Sequence, residues 1–198
     1  DRGAAYEIAA RYADGRGVPA NLEESAHWLE RAASEGLVPA QFRLGSLYEK
    51  GQGVKKDLNK ARQLYALAAG KGNAKAMHNL AVLYAEGIGG KPDYTAAAQW
   101  FRKAANHGIS DSQYNLGILC ARGLGAEKNF AESYKWFALA ARGGDKEAAQ
   151  RLEHIKTQLA PAELAAADRQ IETWRARPAD IKQTTGLAAP IDDAAAGG

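Results

Sequence analysis

"AQFRLGSLYEKGQGVKKDLNKARQLYALAAGKG", residues 40–72, carries apolar residues three and four apart on both sides of a Gly51-x-Gly53. That spacing predicts two amphipathic helices, with Ala40, Leu44 and Tyr48 on the first and Ala61, Tyr65 and Ala68 on the second. The glycines end the first helix because glycine adopts the left-handed conformation at a helix C-terminus at little cost. Asp57 is a good N-cap residue and starts the second. The stretch is therefore a helical hairpin, and a lone hairpin cannot bury both of its faces.

Recurrence shows what covers it. Gly36, Gly72, Gly108 and Gly144 are 36 residues apart, as are Gly15, Gly51, Gly87 and Gly123, and Gly17, Gly53, Gly89 and Gly125. Ile8, Leu44, Leu80, Leu116 and Leu152 keep the same interval, as do small Ala9, Gly45, Ala81 and Gly117. So do the pairs Ala32-Ala33, Ala68-Ala69, Ala104-Ala105 and Ala140-Ala141. Second helices start at Asn21, Asp57, Asp93 and Asn129, and Glu24 and Glu132 three residues on suggest capping boxes. Such a period predicts an all-α fold, a right-handed α-solenoid in which each hairpin is covered by its neighbours.

Departures from the frame read first as packing. His78 shares a column with Tyr6, Phe42 and Tyr114 and is expected to be a packed or half-exposed flat ring. Met77, in the column of Gln41 and Gln113, reads as filler. Cys120 replaces the tyrosine of Tyr12, Tyr48 and Tyr84, which predicts a buried, inert thiol. Trp28, Leu64, Trp100 and Trp136 read as hairpin core.

Composition removes several function classes. A net charge of +3 is too small to argue nucleic-acid binding, and one cysteine allows no internal disulfide or cysteine-rich zinc site. No apolar run approaches the roughly 18 residues of a membrane span. The start, "DRGAAYEIAA", has neither an initiator Met nor a signal-type block, so the chain reads as a mature product or an excised fragment.

The columns A-x-x-x-L-G-x-L-Y-x-x-G-x-G-V and K-A-x-x-x-Y-x-x-A-A-x-x-G resemble the Sel-one-like repeat, a relative of the tetratricopeptide repeat. The resemblance covers Ala4 to Gly144 and implies a non-catalytic adaptor. Four segments carry a narrower likeness: "KAMHNLAVLYAEG", "DSQYNLGILCARGLG", "ESYKWFALAARGGD" and "LAPAELAAADRQIETWRARP". They are similar to the extracytoplasmic part of alphaproteobacterial polar localisation factors of the PodJ type. That likeness implies a periplasmic segment of a single-pass inner-membrane protein, anchored outside this chain. It also implies protein or peptide partners in the envelope, with signalling and polar-development proteins as those it helps to localise. A peptidoglycan- or glycan-binding envelope module is the alternative, if Tyr6, Phe42 and Tyr114 stand free.

The chain divides into three segments: repeats over 1–144, a C-terminal capping hairpin over 145–176, and a disordered tail or linker over 177–198. After Gly144, Glu153 enters the small-residue column and Lys156 the tyrosine column. Pro161 suits the first turn of a last helix whose stripe ends at Trp174.

No catalytic constellation emerges. No Ser-x-x-Lys or His-Glu-x-x-His occurs, and His27, His78, His107 and His154 have no metal-ligand spacing. Lys71 lacks the glycines and Ser/Thr of a phosphate loop, and Gly87-Ile88-Gly89-Gly90 lacks a dinucleotide fingerprint. No cofactor is expected. The expected product is a surface: once core slots take their columns, Arg43, Asn79 and Asn115 remain beside Lys50, Glu86 and Arg122 seven positions on. These are the candidate partner-binding residues of a concave face.

Overall fold

The computed structural model describes residues 1–178, which contain ten α-helices and no strand. They form two compact units, one running from Asp1 to Asn73 and the other beginning at Ala74.

The first unit holds α1 (Arg2–Asp14), α2 (Leu22–Ser34), α3 (Val38–Lys50) and α4 (Leu58–Gly70). Asn21 Oδ1 accepts from the N–H groups of Glu23 and Glu24 at 3.0 and 3.1 Å, and Asp57 Oδ1 from Lys60 N–H at 3.0 Å. These acceptors satisfy donors that have no partner within their own helix. At the other ends, Gly15 and Gly51 turn left-handed at φ 68° and 66°. Ala5, Ala9, Leu29, Ala32, Ala40, Leu44, Ala61 and Tyr65 form the interior. Gly45 is small because Tyr65 lies against it: a Cβ there would meet the ring at 2.8 Å. Tyr65 can therefore be fully buried while its hydroxyl donates to Glu49 Oε2 at 2.5 Å.

The second unit repeats that design through α5 (Ala74–Glu86), α6 (Tyr94–Asn106), α7 (Ser110–Arg122) and α8 (Phe130–Arg142), then adds α9 (Lys146–Lys156) and α10 (Pro161–Thr173). Asp93 and Asn129 cap α6 and α8, and Gly117 gives way to Phe137 as Gly45 does to Tyr65. The capping box expected at Glu132 gives way to a different use of that side chain. Its backbone N–H donates to Asn129, but its carboxylate accepts from Arg102 and from Trp136 Nε1. A guanidinium is a stronger partner for a carboxylate than a backbone amide.

The C-terminal helices form, but their pairing differs from a simple hairpin. Helix α9 buries Ala148 and Ile155 in a cluster with Tyr134, Phe137 and Ala140 of α8. Helix α10 packs chiefly on α8 as well. Tyr134 Oη donates to Asp168 at 2.7 Å, Arg142 donates to the Ile171 carbonyl at 3.0 Å, and Trp174 meets Trp136 edge-on at 6.5 Å. With its apolar residues already turned to α8, α9 has little to offer α10. The chain beyond α10 runs back to α6, where Arg177 N–H donates to the Asn106 carbonyl at 2.8 Å. The segment read as a tail thus begins with an anchored residue, and its remainder, 179–198, lies outside the described residues.

Candidate functional site

The odd-numbered helices carry the candidate residues, and each unit shows the same contact once, a tyrosine of one repeat against an arginine of the next. In the first unit the Arg43 guanidinium lies 5.7 Å from the centre of the Tyr6 ring. Burial pushes the Tyr6 phenol above its usual range, and Arg43 partly offsets that rise. In the second unit Arg151 Nε donates to Tyr114 Oη at 2.8 Å and stacks on its ring at 5.6 Å, while Tyr114 donates to Glu147 at 3.1 Å.

Where the ring is not tyrosine, the arginine is absent too. Asn115 follows His78 in this register, and His78 instead turns its Nδ1 to Ser112 Oγ, 2.7 Å away. Asn79 and Asn115 are half-buried, and neither carboxamide has a hydrogen-bond or ion-pair partner among the described residues. One turn on, half-buried Val82 and Ile118 continue the same face, and exposed Glu86 and Arg122 close it. In the first unit Arg43 is half-buried against Tyr6, while Lys50 is exposed at the end of α3. Of the six expected residues, Asn79, Glu86, Asn115 and Arg122 share one face of the second unit, and Arg43 and Lys50 share one helix of the first.

Sequence reasoning missed the Ser112 contact and the tie between Arg151 and Tyr114. A signal existed: Ser112 stands where other repeats have Ala40 and Ala76, and His78 is itself a departure. The rings that would have served as a glycan platform are engaged. Phe42 packs on Tyr65 and Tyr114 on Phe137, both at 5.8 Å between ring centres, and Arg43 covers Tyr6.

Cys120 is fully buried beside Arg102 and Glu132. Burial, helped by the Glu132 carboxylate and opposed by Arg102, pushes its thiol up from 9.0 to about 11. An unfolded thiol ionises first, so the fold holds this contribution intact below pH 9.0 and loses it as pH rises toward about 11. Cys120→Ala is therefore expected to flatten the loss of stability across that window, and native protein to resist a thiol reagent at neutral pH. Denaturant titrations of both proteins across the window check this; parallel losses would show that the thiol does not contribute.

Among the described residues no group of three or more His, Cys, Asp or Glu side chains is placed to hold a metal ion, and no helix is long and apolar enough to cross a membrane. The Sel1 repeat model matches residues 3–37, 38–73, 74–109 and 110–145. A Sel1 repeat protein from Oxalobacter formigenes is 31% identical, with a TM-score of 0.75 over 88% of this chain and 74% of that one. A protective antigen present in uropathogenic Escherichia coli strains, displaying an SLR fold, is 26% identical with a TM-score of 0.52, and the match spans 86% of this chain but 45% of that one. No curated protein matches. The glycine and alanine columns, the hairpin caps and the ring-to-next-repeat contacts are those of stacked helical repeats of the α-solenoid class, and the chain belongs to the Sel1 repeat family.

Proposed function

We propose that this chain is a non-catalytic scaffold that holds an extended peptide segment of a protein partner on the face that α5 and α7 share, in keeping with Sel1 repeats, which generally mediate protein–protein interaction. The unpartnered, half-buried Asn79 and Asn115 carboxamides carry this reading. Each can donate to and accept from a peptide backbone, and Val82 and Ile118 supply an apolar strip beside them. The nearest thing to catalytic geometry is His78 against Ser112, but Ser112 is 0% exposed, so its hydroxyl is out of reach of a substrate.

The likeness of "KAMHNLAVLYAEG" and "LAPAELAAADRQIETWRARP" to PodJ-type factors supports a setting in the periplasm, within a single-pass inner-membrane protein that organises polar signalling proteins. A long coiled coil and one membrane span encoded upstream would agree with that setting, and their absence would remove it.

Asn79→Ala with Asn115→Ala is expected to weaken partner binding by about 1 to 3 kcal/mol, the usual cost of unpairing polar groups in an interface. Melting should be nearly unchanged, because the carboxamides have no internal partner to lose. Titration of a partner captured from envelope extract, beside Gln63→Ala on an exposed position of α4, makes the test. Equal affinities for the two variants would rule out this face. Sedimentation with purified sacculi tests for peptidoglycan in parallel.

A further inference from the structure

Between the end of α3 and the start of α4 lies a concavity of about 410 Å³ lined by Tyr48, Val54, Lys55, Lys56, Asp57 and Lys60. Its charge departs from the frame. Lys60 stands where the first and fourth repeats have Glu24 and Glu132, and only the second repeat pairs two lysines at Lys55-Lys56, where the others have Pro19-Ala20, Lys91-Pro92 and Glu127-Lys128. An acidic residue in the first turn favours a helix through its dipole, and a lysine there does the opposite. The second repeat forgoes that local gain and lines one concavity with three lysines. Lys60 Nζ lies 4.9 Å from the Tyr48 ring centre.

Local acids offset the cluster only in part, since three lysines and one carboxylate, Asp57, line the concavity. Asp57 Oδ1 is held by the Lys60 N–H as the helix cap, and Glu30 Oε1 accepts the Tyr48 hydroxyl at 2.7 Å. None of the three lysines has an ion-pair partner among the described residues. Lys56 packs its Cβ close to Gly51, next to exposed Lys50, so a fourth basic side chain flanks the concavity within the first unit.

We infer that this concavity receives the acidic side chains of a partner's peptide segment, an assignment that rests on the peptide-binding reading above. The probe is a labelled short peptide of alternating Glu and Ala, with a Lys and Ala peptide of equal length as its opposite, titrated by anisotropy at low and high salt. The Glu peptide should bind and weaken with salt, as exposed charges do. Lys60→Glu, which restores the frame's own residue, should weaken it about fivefold without lowering the unfolding midpoint, since one charge contact in water is worth about 1 kcal/mol. Reversal of Lys55, Lys56 and Lys60 to Glu together should weaken it about a hundredfold. A control reversal of exposed Lys146, Lys156 and Arg169 to Glu, matched in net charge, should leave binding within about twofold, because none of those side chains lines the concavity. Equal losses in the two triple variants, or no preference for the Glu peptide, would overturn the inference. A partner that needs Asn79 and Asn115 but ignores the lysine reversals overturns it alone and leaves the peptide-binding reading standing.

Discussion

Gly125→Ala is expected to destabilise the protein by about 3 to 5 kcal/mol, whereas Gly17→Ala, at the same position of the repeat, should cost only about 1 to 2 kcal/mol. Both glycines are left-handed, with φ of 66° and 76°, so any side chain brings the backbone penalty at each. Only Gly125 is also crowded. A Cβ there would lie 1.9 Å from the Tyr94 carbonyl oxygen and 2.7 Å from the Thr95 nitrogen, whereas nothing lies within 4 Å of one on Gly17. Tyr94 opens α6, so the turn between α7 and α8 rests directly on the helix before it and backbone must move to admit a methyl group. Denaturant unfolding of both variants separates the penalties. Equal losses would mean that the crowding at Gly125 relaxes freely and that turn-to-helix contact does not hold successive repeats together.

The two glycines also illustrate what a repeat makes legible. The left-handed glycines, the Asn and Asp caps and the alanine pairs answer to local backbone rules that operate identically in every frame, so a period in the sequence becomes a period in the structure. The same holds for the ring column, whose members pack as the frame predicts, against Tyr65, Phe101 and Phe137. Less legible are features in which two departures from the frame compensate each other. His78 and Ser112 are 34 residues apart and are explained only as a pair. Cys120 loses the hydroxyl that Tyr48 gives to Glu30, and Arg102, in the column of Glu30, turns to Glu132 instead. Each odd residue read alone has a bland explanation, and the partner appears only when deviations of neighbouring frames are set against each other.

The candidate face is legible by elimination, since residues not needed for packing are left over. Elimination does not distinguish a side chain held by its neighbours from one waiting for a partner. Arg43 and Arg151 belong to the first kind because a tyrosine one repeat back engages them. Asn79 and Asn115 have no such engagement among the described residues, and the peptide-binding proposal rests on that difference. The lysine concavity is hidden in the sequence for a different reason: its residues sit in the turn, where the frame constrains glycines and the cap but leaves charge free.

Ending the chain after Ala160, which removes α10 and every residue beyond it, is expected to have the second large effect: loss of stability on the order of 5 kcal/mol, from the apolar side chains it uncovers, with self-association. The reason lies in the unexpected packing of α10. Were it paired with α9, its loss would uncover mainly α9. Because it lies on α8, its loss strips cover from side chains that the repeats cannot protect themselves: Trp136 is 1% exposed, Leu139 3% and Tyr134 7%. Ile171 and Trp174 pack against the cluster that holds Trp136 and Leu139, and Ala167 is buried in the one that holds Tyr134. Re-exposing two or three large apolar side chains costs about 1.5 to 3 kcal/mol each. The Asp168 acceptor of Tyr134 and the return of Arg177 to Asn106 go as well. A continuous apolar patch of that kind drives association with another copy. Trp174→Ala makes the milder companion, removing the ring on Trp136 while leaving α10 in place. Sedimentation velocity and an apolar dye would read the patch, and chemical denaturation the stability. A shortened chain that stayed monomeric, dark with the dye and as stable as the parent would show that α9 on α8 closes the repeats without help, and that α10 is an appendage rather than a cap.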